Sequence, residues 1–296
     1  MKRYFLSILC LAFVGTGLHA QQADDFQWEV INGGITITRY VGSGGHVVIP
    51  AVINGMPVTA IGVAAFSRAV WDGVFEGKNI TSVTIPDSVT SIGSAAFHSN
   101  LLTSVVIPGS VTSIEWGAFS NNQITSVTIP NSLTLINGSV FSHNRLTSVI
   151  IPSSVTSIGA GAFSNNLLES VIIPDSVTVL GTDAFLQNRL TSVTIPSSLT
   201  SIGNWAFRVN RLSSVVIPAS ITHIGGGAFA GNELISVTIG ANVSLGAWHG
   251  GGILGDGNGD RRRDALFEQA YNNAGRQAGT YTRPSADSTT WTWTPN

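Results

Sequence analysis

Residues 174–195 read PDSVTVLGTDAFLQNRLTSVTI, and residues 196–217 read PSSLTSIGNWAFRVNRLSSVVI. The two stretches align position for position. The Ile-Pro junction that bounds them recurs at Pro86, Pro108, Pro130, Pro152, Pro174, Pro196 and Pro218, always 22 residues apart. A fixed period between roughly 20 and 50 residues is the signature of a solenoid, in which each unit is one coil of a stack. Seven such units fill residues 86–239.

Each position within the unit has a physical task. Leu190-Thr191-Ser192-Val193-Thr194-Ile195 alternates as a strand, turning Leu190, Val193 and Ile195 inward and Ser192 and Thr194 outward. Pro196 has no N–H to give a ladder, so it ends the pairing and starts the turn. A second short run, Ser198 to Ile202, turns Leu199 and Ile202 inward, and Ala206 and Phe207 fill the wide end of the coil. An asparagine recurs at Asn100, Asn122, Asn144, Asn166, Asn188, Asn210 and Asn232. A surface asparagine would be free to vary from coil to coil. Its repetition implies a ladder of side-chain amides that satisfies backbone donors and acceptors inside tight turns. Phe97, Phe119, Phe141, Phe163, Phe185, Phe207 and Phe229 form a second ladder, an aromatic spine. Packing must repeat in every coil and function need not, so both ladders read as structure.

A single coil buries too little apolar surface to offset the entropy of ordering its residues, so the ends of a stack need special treatment. From Pro50 to Pro86 the same unit appears expanded, with extra residues around Asn54-Gly55 and again around Trp71 to Lys78. Ahead of it, Trp28-Glu29-Val30 and Ile35 to Thr38 flank Asn32-Gly33-Gly34, a hairpin signal that would cover the first coil's open edge. After Ile239-Gly240 the pattern fades. Asp264 to Asn273 reads as a short helix, with Asp264 as N-cap and Gly275 beyond its end. Gly279–Thr282 and Thr290–Trp293 then alternate around Pro284 to Asp287 as a second hairpin. The expected organisation is a signal peptide at 1–20, an N-terminal cap at 21–49, an expanded first repeat at 50–85, the seven repeats at 86–239 and a C-terminal cap at 240–296. The expected fold is a β-rich solenoid: a right-handed leucine-rich-repeat coil of parallel strands, with a hairpin cap at the start and a small α/β cap at the end.

The unit LTSVTIPSSVTSIGxxAFxxN resembles the BspA-like, treponemal-type leucine-rich repeat of bacterial surface antigens. The resemblance covers residues 50–239. It extends into both ends, where VINGGITITRYVGSGGHVVIPAVINGMPVTAIGVAAF and AYNNAGRQAGTYT are similar to the family's opening and closing segments. The chain departs from many members by carrying Asn where they carry Cys in the turn. The resemblance implies a secreted or surface-exposed protein, and it implies adhesion, since members are adhesins for host matrix proteins such as fibronectin and fibrinogen.

The N-terminus agrees with export. Lys2 and Arg3 precede an apolar run from Tyr4 to Val14, and Leu18-His19-Ala20 ends in a small residue, the pattern of a secretory signal cleaved after Ala20. The run is shorter than the roughly 20 residues that span a bilayer, so no membrane span is expected once it is removed. Cleavage takes the formal charge from −2 to −4. Charged residues make up 10% of the chain, and that balance argues against nucleic acid as a partner. The sole cysteine, Cys10, lies inside the apolar run with too short a stretch before it for lipid attachment. The mature chain therefore has no disulfide, no thiolate nucleophile and no Cys-bound metal. Free secretion, surface retention and the periplasm all stay open.

Motifs for chemistry fail on context. Gly250 to Gly255 fits G-x-G-x-x-G but has no strand before it and no βαβ unit around it. Asp256-Gly257-Asn258-Gly259-Asp260 begins like a calcium loop, yet its sixth position is Arg261 and its twelfth Phe267, where Gly and Glu are needed. His46, His98, His143, His223 and His249 are dispersed, and His98 and His143 fall two coils apart, too far to share a metal. Arg261-Arg262-Arg263 reads as solvated surface. No catalytic residue, cofactor or metal is expected, and the chain is not expected to be an enzyme.

What varies on a fixed scaffold is the better guide to function. The outward strand pairs are Ser104 with Val106, Ser126 with Thr128, Ser148 with Ile150, Ser170 with Ile172, Ser192 with Thr194 and Ser214 with Val216. They make an uncharged, β-branched face suited to protein or glycan and poor for phosphate. Such residues also simply suit strands. Arg145, Arg189 and Arg211 add a partial basic edge. Trp116 and Trp205 lie four coils apart, about 20 Å at ~4.8 Å per coil, too far to form one hot spot. The expectation is an exported binding protein, an adhesin contacting host or neighbour-cell protein through the solenoid face. The alternative is a structural or self-associating envelope protein, and the oligomeric state stays open.

Overall fold

The computed structural model describes residues 23–69, 75–246, 261–288 and 290–295. The signal segment with Cys10, Trp71 in the insertion, His249 and the glycine-rich stretch with its calcium-like Asp256–Asp260 run lie outside the described residues.

The chain winds as a β-solenoid of about nine turns with parallel strands at 22-residue spacing. On one side, the strand face, Ser104–Val106 pairs in parallel with Ser126–Thr128, Ser104 opposite Ser126. Ser170–Ile172 pairs with Ser192–Thr194, and Ser214–Val216 with Ser236–Ile239, in the same register. A second side carries two-residue strands, Leu135–Ile136 beside Ser157–Ile158 and Val179–Leu180, and Ser201–Ile202 beside His223–Ile224 and Ser244–Leu245. From Phe97 to Phe229 the third side carries no strand but keeps a ladder: Phe97 N–H donates to Ala118 C=O at 2.8 Å, and Phe119 N–H to Val140 C=O at 3.0 Å. Inward residues such as Leu190, Leu199, Ile202, Ala206 and Phe207 are buried in one continuous core, against which Val83, Val127, Val149 and Val193 pack half-buried.

At the N-terminal end, Phe26–Ile31 and Gly34–Tyr40 pair antiparallel about Asn32 and Gly33, whose φ of 51° and 80° are those of a type I′ turn. Gly34 belongs to the strand, so the turn is two residues long. Gly34–Tyr40 lies parallel to Met56–Ile61, and Gly45–Val48 lies parallel to Ile80–Thr84. Residues 34–49 thus already trace a shortened coil, with Tyr40 at the phenylalanine position, its ring 5.4 Å from that of Phe66. Part of the stretch read from sequence as a cap is winding, and only Phe26–Ile31 is added antiparallel at the edge. The extra residues at Asn54-Gly55 form a small hairpin between Val52–Ile53 and Met56–Ile61. The second insertion is an antiparallel ribbon, Ser67–Ala69 against Phe75–Gly77.

At the C-terminal end the helix spans Arg261–Asn273 and starts three residues before Asp264. Asp264 therefore lies in the first turn and is not the N-cap; the helical backbone continues through it toward Arg261. The other end closes as expected: Gly275 has φ +67°, its N–H donates to Asn272 C=O at 2.9 Å, and Arg276 N–H donates to Tyr271 C=O at 2.8 Å. These two bonds make a Schellman motif. Gly279–Thr282 pairs antiparallel with Ser236–Ile239 and with Thr292–Pro295, covering the last coil's edge. The returning strand begins at Thr292, two residues later than its alternation indicated. Trp291 is diverted to pack edge-on against Phe267 at 5.3 Å, with the Arg283 guanidinium 4.8 Å from its ring centre. The Tyr271 hydroxyl accepts from Val243 N–H and donates to Gly240 C=O, clipping the helix to the last coil.

Candidate functional site

The residues that recur most regularly are occupied with holding coils together. Asn166 is typical: its Oδ1 accepts from Leu146 N–H at 3.0 Å, and its Nδ2 donates to the carbonyls of Phe141 at 2.9 Å, Phe163 at 3.1 Å and Ser164 at 3.2 Å. Asn122, Asn144, Asn188 and Asn210 make the same four contacts. At the two ends, Asn100 accepts from Lys78 and Ile80 N–H, and Asn232 accepts from Leu212 N–H. Phe97, Phe119, Phe141, Phe163, Phe185, Phe207 and Phe229 stack ring on ring, with centroids 5.3 to 5.9 Å apart. Phe66 and Tyr40 extend the column at the N-terminal end.

Sequence reasoning missed a third ladder. Two residues after the unit's proline, Ser110, Ser132, Ser154, Ser176 and Ser198 each donate from Oγ to a carbonyl 21 residues earlier, at 2.5 to 2.7 Å. The recurring Pro-x-Ser was visible in the sequence. Serine is common in turns for other reasons, so the pattern alone does not single it out.

The strand face is unlike these ladders. Val106, Ile150, Ile172 and Val216 are 74%, 85%, 72% and 66% exposed, in a single file with exposed Thr128 and Thr194. Beside them runs a file of serines in which Ser104, Ser148 and Ser170 are exposed. The two files stand on alternate residues, about 6.6 Å apart where the chain is extended. Ser148 and Ile150, expected as an outward strand pair, keep their places in the files, but residues 148–150 pair with neither neighbouring coil as a strand. The file continues into the cap at Thr238, whose Oγ1 lies 3.0 Å from that of Thr280. Arg145, Arg189 and Arg211 are exposed at the corresponding position of their coils, Arg189 and Arg211 just ahead of the strands Ser192–Thr194 and Ser214–Val216. Their backbones are pinned, each N–H donating at 2.9 Å to the previous coil, at Ile124, Leu168 and Leu190. The structure thus brings Ser104, Val106, Thr128, Ile150, Ile172, Thr194 and Val216 onto one surface, with the three arginines along one margin.

The groups whose pKa values shift lie away from the strand face. Burial lowers the pKa of His98, assisted by His143, and raises that of Asp183 against the pull of Arg208. Burial beside Tyr271 pushes Tyr281 up to about 12. These three groups lie on the turn side and in the C-terminal cap. A recess of about 180 Å³ between the last coil and the helix is lined by Val243, Ser244, Leu245, Glu268, Asn272 and Arg276. Among the described residues no three His, Cys, Asp or Glu side chains gather as a metal site, and no helix is long and apolar enough to cross a membrane.

Comparison with known proteins agrees with this architecture. The model of the BspA-type leucine-rich repeat region matches in six copies over residues 68–188 and 134–247, well over half of the chain. A leucine-rich repeat protein from Bacteroides ovatus superposes with a TM-score of 0.56 at 23% identity, over 76% of this chain and 66% of that one. The chain therefore spans just under two thirds of that protein's length. The pneumococcal vaccine antigen PcpA gives a TM-score of 0.54 at 22% identity, over 75% of this chain and 70% of that one. A leucine-rich repeat protein of Treponema pallidum is 25% identical over 71% of this chain and 88% of that one, with a TM-score of 0.44. A comparison with curated protein sequences gives no match. The matching family is one of repeat scaffolds, and no catalytic family is among the matches. The chain belongs to the family of BspA-type leucine-rich repeat proteins.

Proposed function

We propose that the protein is exported and acts at the bacterial surface as an adhesin, binding a host or neighbour-cell protein through its strand face. The observation that carries this reading is the file of Val106, Ile150, Ile172 and Val216, exposed along one side of a solenoid whose asparagine, phenylalanine and turn-serine ladders are committed to packing. Exposed apolar side chains gathered in one file, with only Thr128 and Thr194 between them, suit an interaction site. The arginine margin supplies the polar rim that such interfaces carry. The family and the N-terminal Lys2-Arg3 and apolar run support export. The test is surface plasmon resonance of the mature chain against immobilised matrix proteins, fibronectin and fibrinogen among them, and against bacterial surface proteins. Saturable binding to at least one supports the reading; no binding across the array overturns it.

A second reading, a self-associating envelope protein, draws on one observation. Phe26–Ile31 is an edge strand with Val30 and Ile31 exposed, and an open edge of this kind templates pairing with another chain. Concentration-dependent assembly in light scattering, abolished by Ile31→Lys, would favour it. A strict monomer would remove it.

A further inference from the structure

The coil departs from its own rule in one place. The residue after the second strand is glycine at Gly93, Gly159, Gly181, Gly203, Gly225 and Gly246. A Cβ on any of these would stand within 3.0 Å of the preceding coil's backbone, for example 2.6 Å from Gly138 N at Gly159 and 2.4 Å from Asn204 N at Gly225. Two adjacent coils nevertheless carry side chains at this position, Glu115 and Asn137. Between them the ladder is broken: Ser113–Ile114 and Leu135–Ile136 belong to separate sheets. In regular coils the backbone N–H here donates to the previous coil's carbonyl, as Gly159 does to Ile136 at 2.8 Å and Gly181 does to Ile158 at 2.8 Å. At 137 the side chain takes that part, Asn137 Nδ2 donating to Ile114 C=O at 2.8 Å. The ladder breaks likewise between Val179–Leu180 and Ser201–Ile202, where both coils carry glycine, so a break does not call for the side chains at 115 and 137.

Beside them stands Trp116, 53% exposed. Its counterparts in other coils are Ser94, Gly138, Ala160, Thr182, Asn204 and Gly226, all small or polar. Gly138 of the next coil makes room for the indole. A Cβ there would lie 3.0 Å from Trp116 Cδ1 and 3.1 Å from Ala160 O. Glu115 is exposed, and Ser113 Oγ donates to its Oε1 at 2.7 Å. Three departures from the repeat, drawn from two coils, therefore meet at one corner: an aromatic face, a carboxylate and a carboxamide.

We propose that Glu115, Trp116 and Asn137 form a binding site for one ring of a neutral glycan. The site lies at the corner between the second strand and the phenylalanine turn, off the strand face. The C–H face of a pyranose is apolar and lies flat on an indole, and its rim hydroxyls donate to a carboxylate and bond with an amide. The Glu115 charge disfavours acidic sugars. A quaternary ammonium is the competing ligand for an aromatic ring beside a carboxylate, but it is held best by a cage of aromatic faces. This corner presents one.

The probes are neutral soluble polysaccharides, namely laminarin, xylan, mannan and dextran, in affinity gel electrophoresis of the mature chain. At least one is expected to retard the protein. Trp116→Ala should abolish retardation, and Glu115→Gly should weaken it by more than about tenfold, the scale of a hot-spot contact. Both variants place at their position a residue as small as other coils use, and a thermal melt checks that each remains folded. Asp175→Ala, at an exposed turn residue on a distant coil, should leave retardation unchanged. The proposal is overturned if none of the four polysaccharides retards the chain or if a folded Trp116→Ala is retarded like the parent. It is also overturned if tetramethylammonium competes off the bound polysaccharide or quenches a Trp116-dependent fluorescence more strongly than any polysaccharide does.

Discussion

Replacing Asn166 by alanine removes one rung of the amide ladder, and the structure allows its cost to be apportioned. The carbonyls it touches each keep another donor: Phe141 C=O receives Asn144 Nδ2, Phe163 C=O receives Asn188 Nδ2, and Ser164 C=O receives His143 N–H. Leu146 N–H is different, because Asn166 Oδ1 is its acceptor in a fully buried turn. Stranding a buried N–H costs about 1–3 kcal/mol, and losing the shared donations adds about 1 kcal/mol, so a loss of about 2–4 kcal/mol is expected. Asn166→Asp should be worse. It keeps the acceptor but turns a carboxylate toward three carbonyl oxygens in a buried site. The assay is urea denaturation followed by circular dichroism, paired with hydrogen–deuterium exchange across residues 141–150. The midpoint should fall, and exchange should rise around Leu146 before it does in coils farther away, since each coil contacts only its neighbours. A variant within about 0.5 kcal/mol of the parent, the range of ordinary surface changes, would refute the reasoning.

Three further outcomes follow from the same geometry. Phe163→Ala should cost about 3–5 kcal/mol in denaturant titration, because its fully buried ring stacks on Phe141 at 5.7 Å and Phe185 at 5.4 Å. Gly159→Ala should cost more than the roughly 1 kcal/mol expected for Gly161→Ala. Its Cβ would meet backbone at 2.6 Å, whereas that of Gly161, at φ +63°, would meet only serine hydroxyls at 3.3 Å or more. Asp183 has a pKa raised by burial, so its charged form is disfavoured by folding, and the penalty is present above the folded pKa and absent below the ordinary carboxylate value. Asp183→Asn should therefore raise the melting temperature at pH 7, and the gain should shrink as pH falls toward 4; a gain that grows on acidification would contradict this.

The sequence made the winding legible because a solenoid repeats its reasons. Once Leu190, Val193 and Ile195 were placed inward, six other coils followed, and so did the asparagine and phenylalanine files. The ends were less legible because they do not repeat. Tyr40 stands in the phenylalanine column, but the coil around it is shortened and lacks the Leu or Ile that opens the other coils' strands, so the repeat pattern places the start of the winding at Pro50. Asp264 looked like a cap from its side-chain type, and the helix simply runs past it. Trp291 fitted the alternation of a strand and was diverted by Phe267 and Arg283, partners that no local pattern names. Of the functional surfaces, the strand face was readable from alternation. The corner at Glu115, Trp116 and Asn137 was not, since it rests on departures from the glycine position whose meaning needs the backbone clearances of the next coil.

The repeat's regular residues hold the fold, and the proposed adhesion is assigned to the exposed strand file. The double variant Ile150→Lys, Ile172→Lys tests this assignment most directly, measured for both thermal unfolding and binding to whichever surface or matrix protein the parent captures. The two side chains are 85% and 72% exposed, so the melting temperature should stay within about 2 °C of the parent, as for surface changes of under about 0.5 kcal/mol. Binding should fall by more than about tenfold. Unchanged binding, or collapse of the fold, would contradict the account.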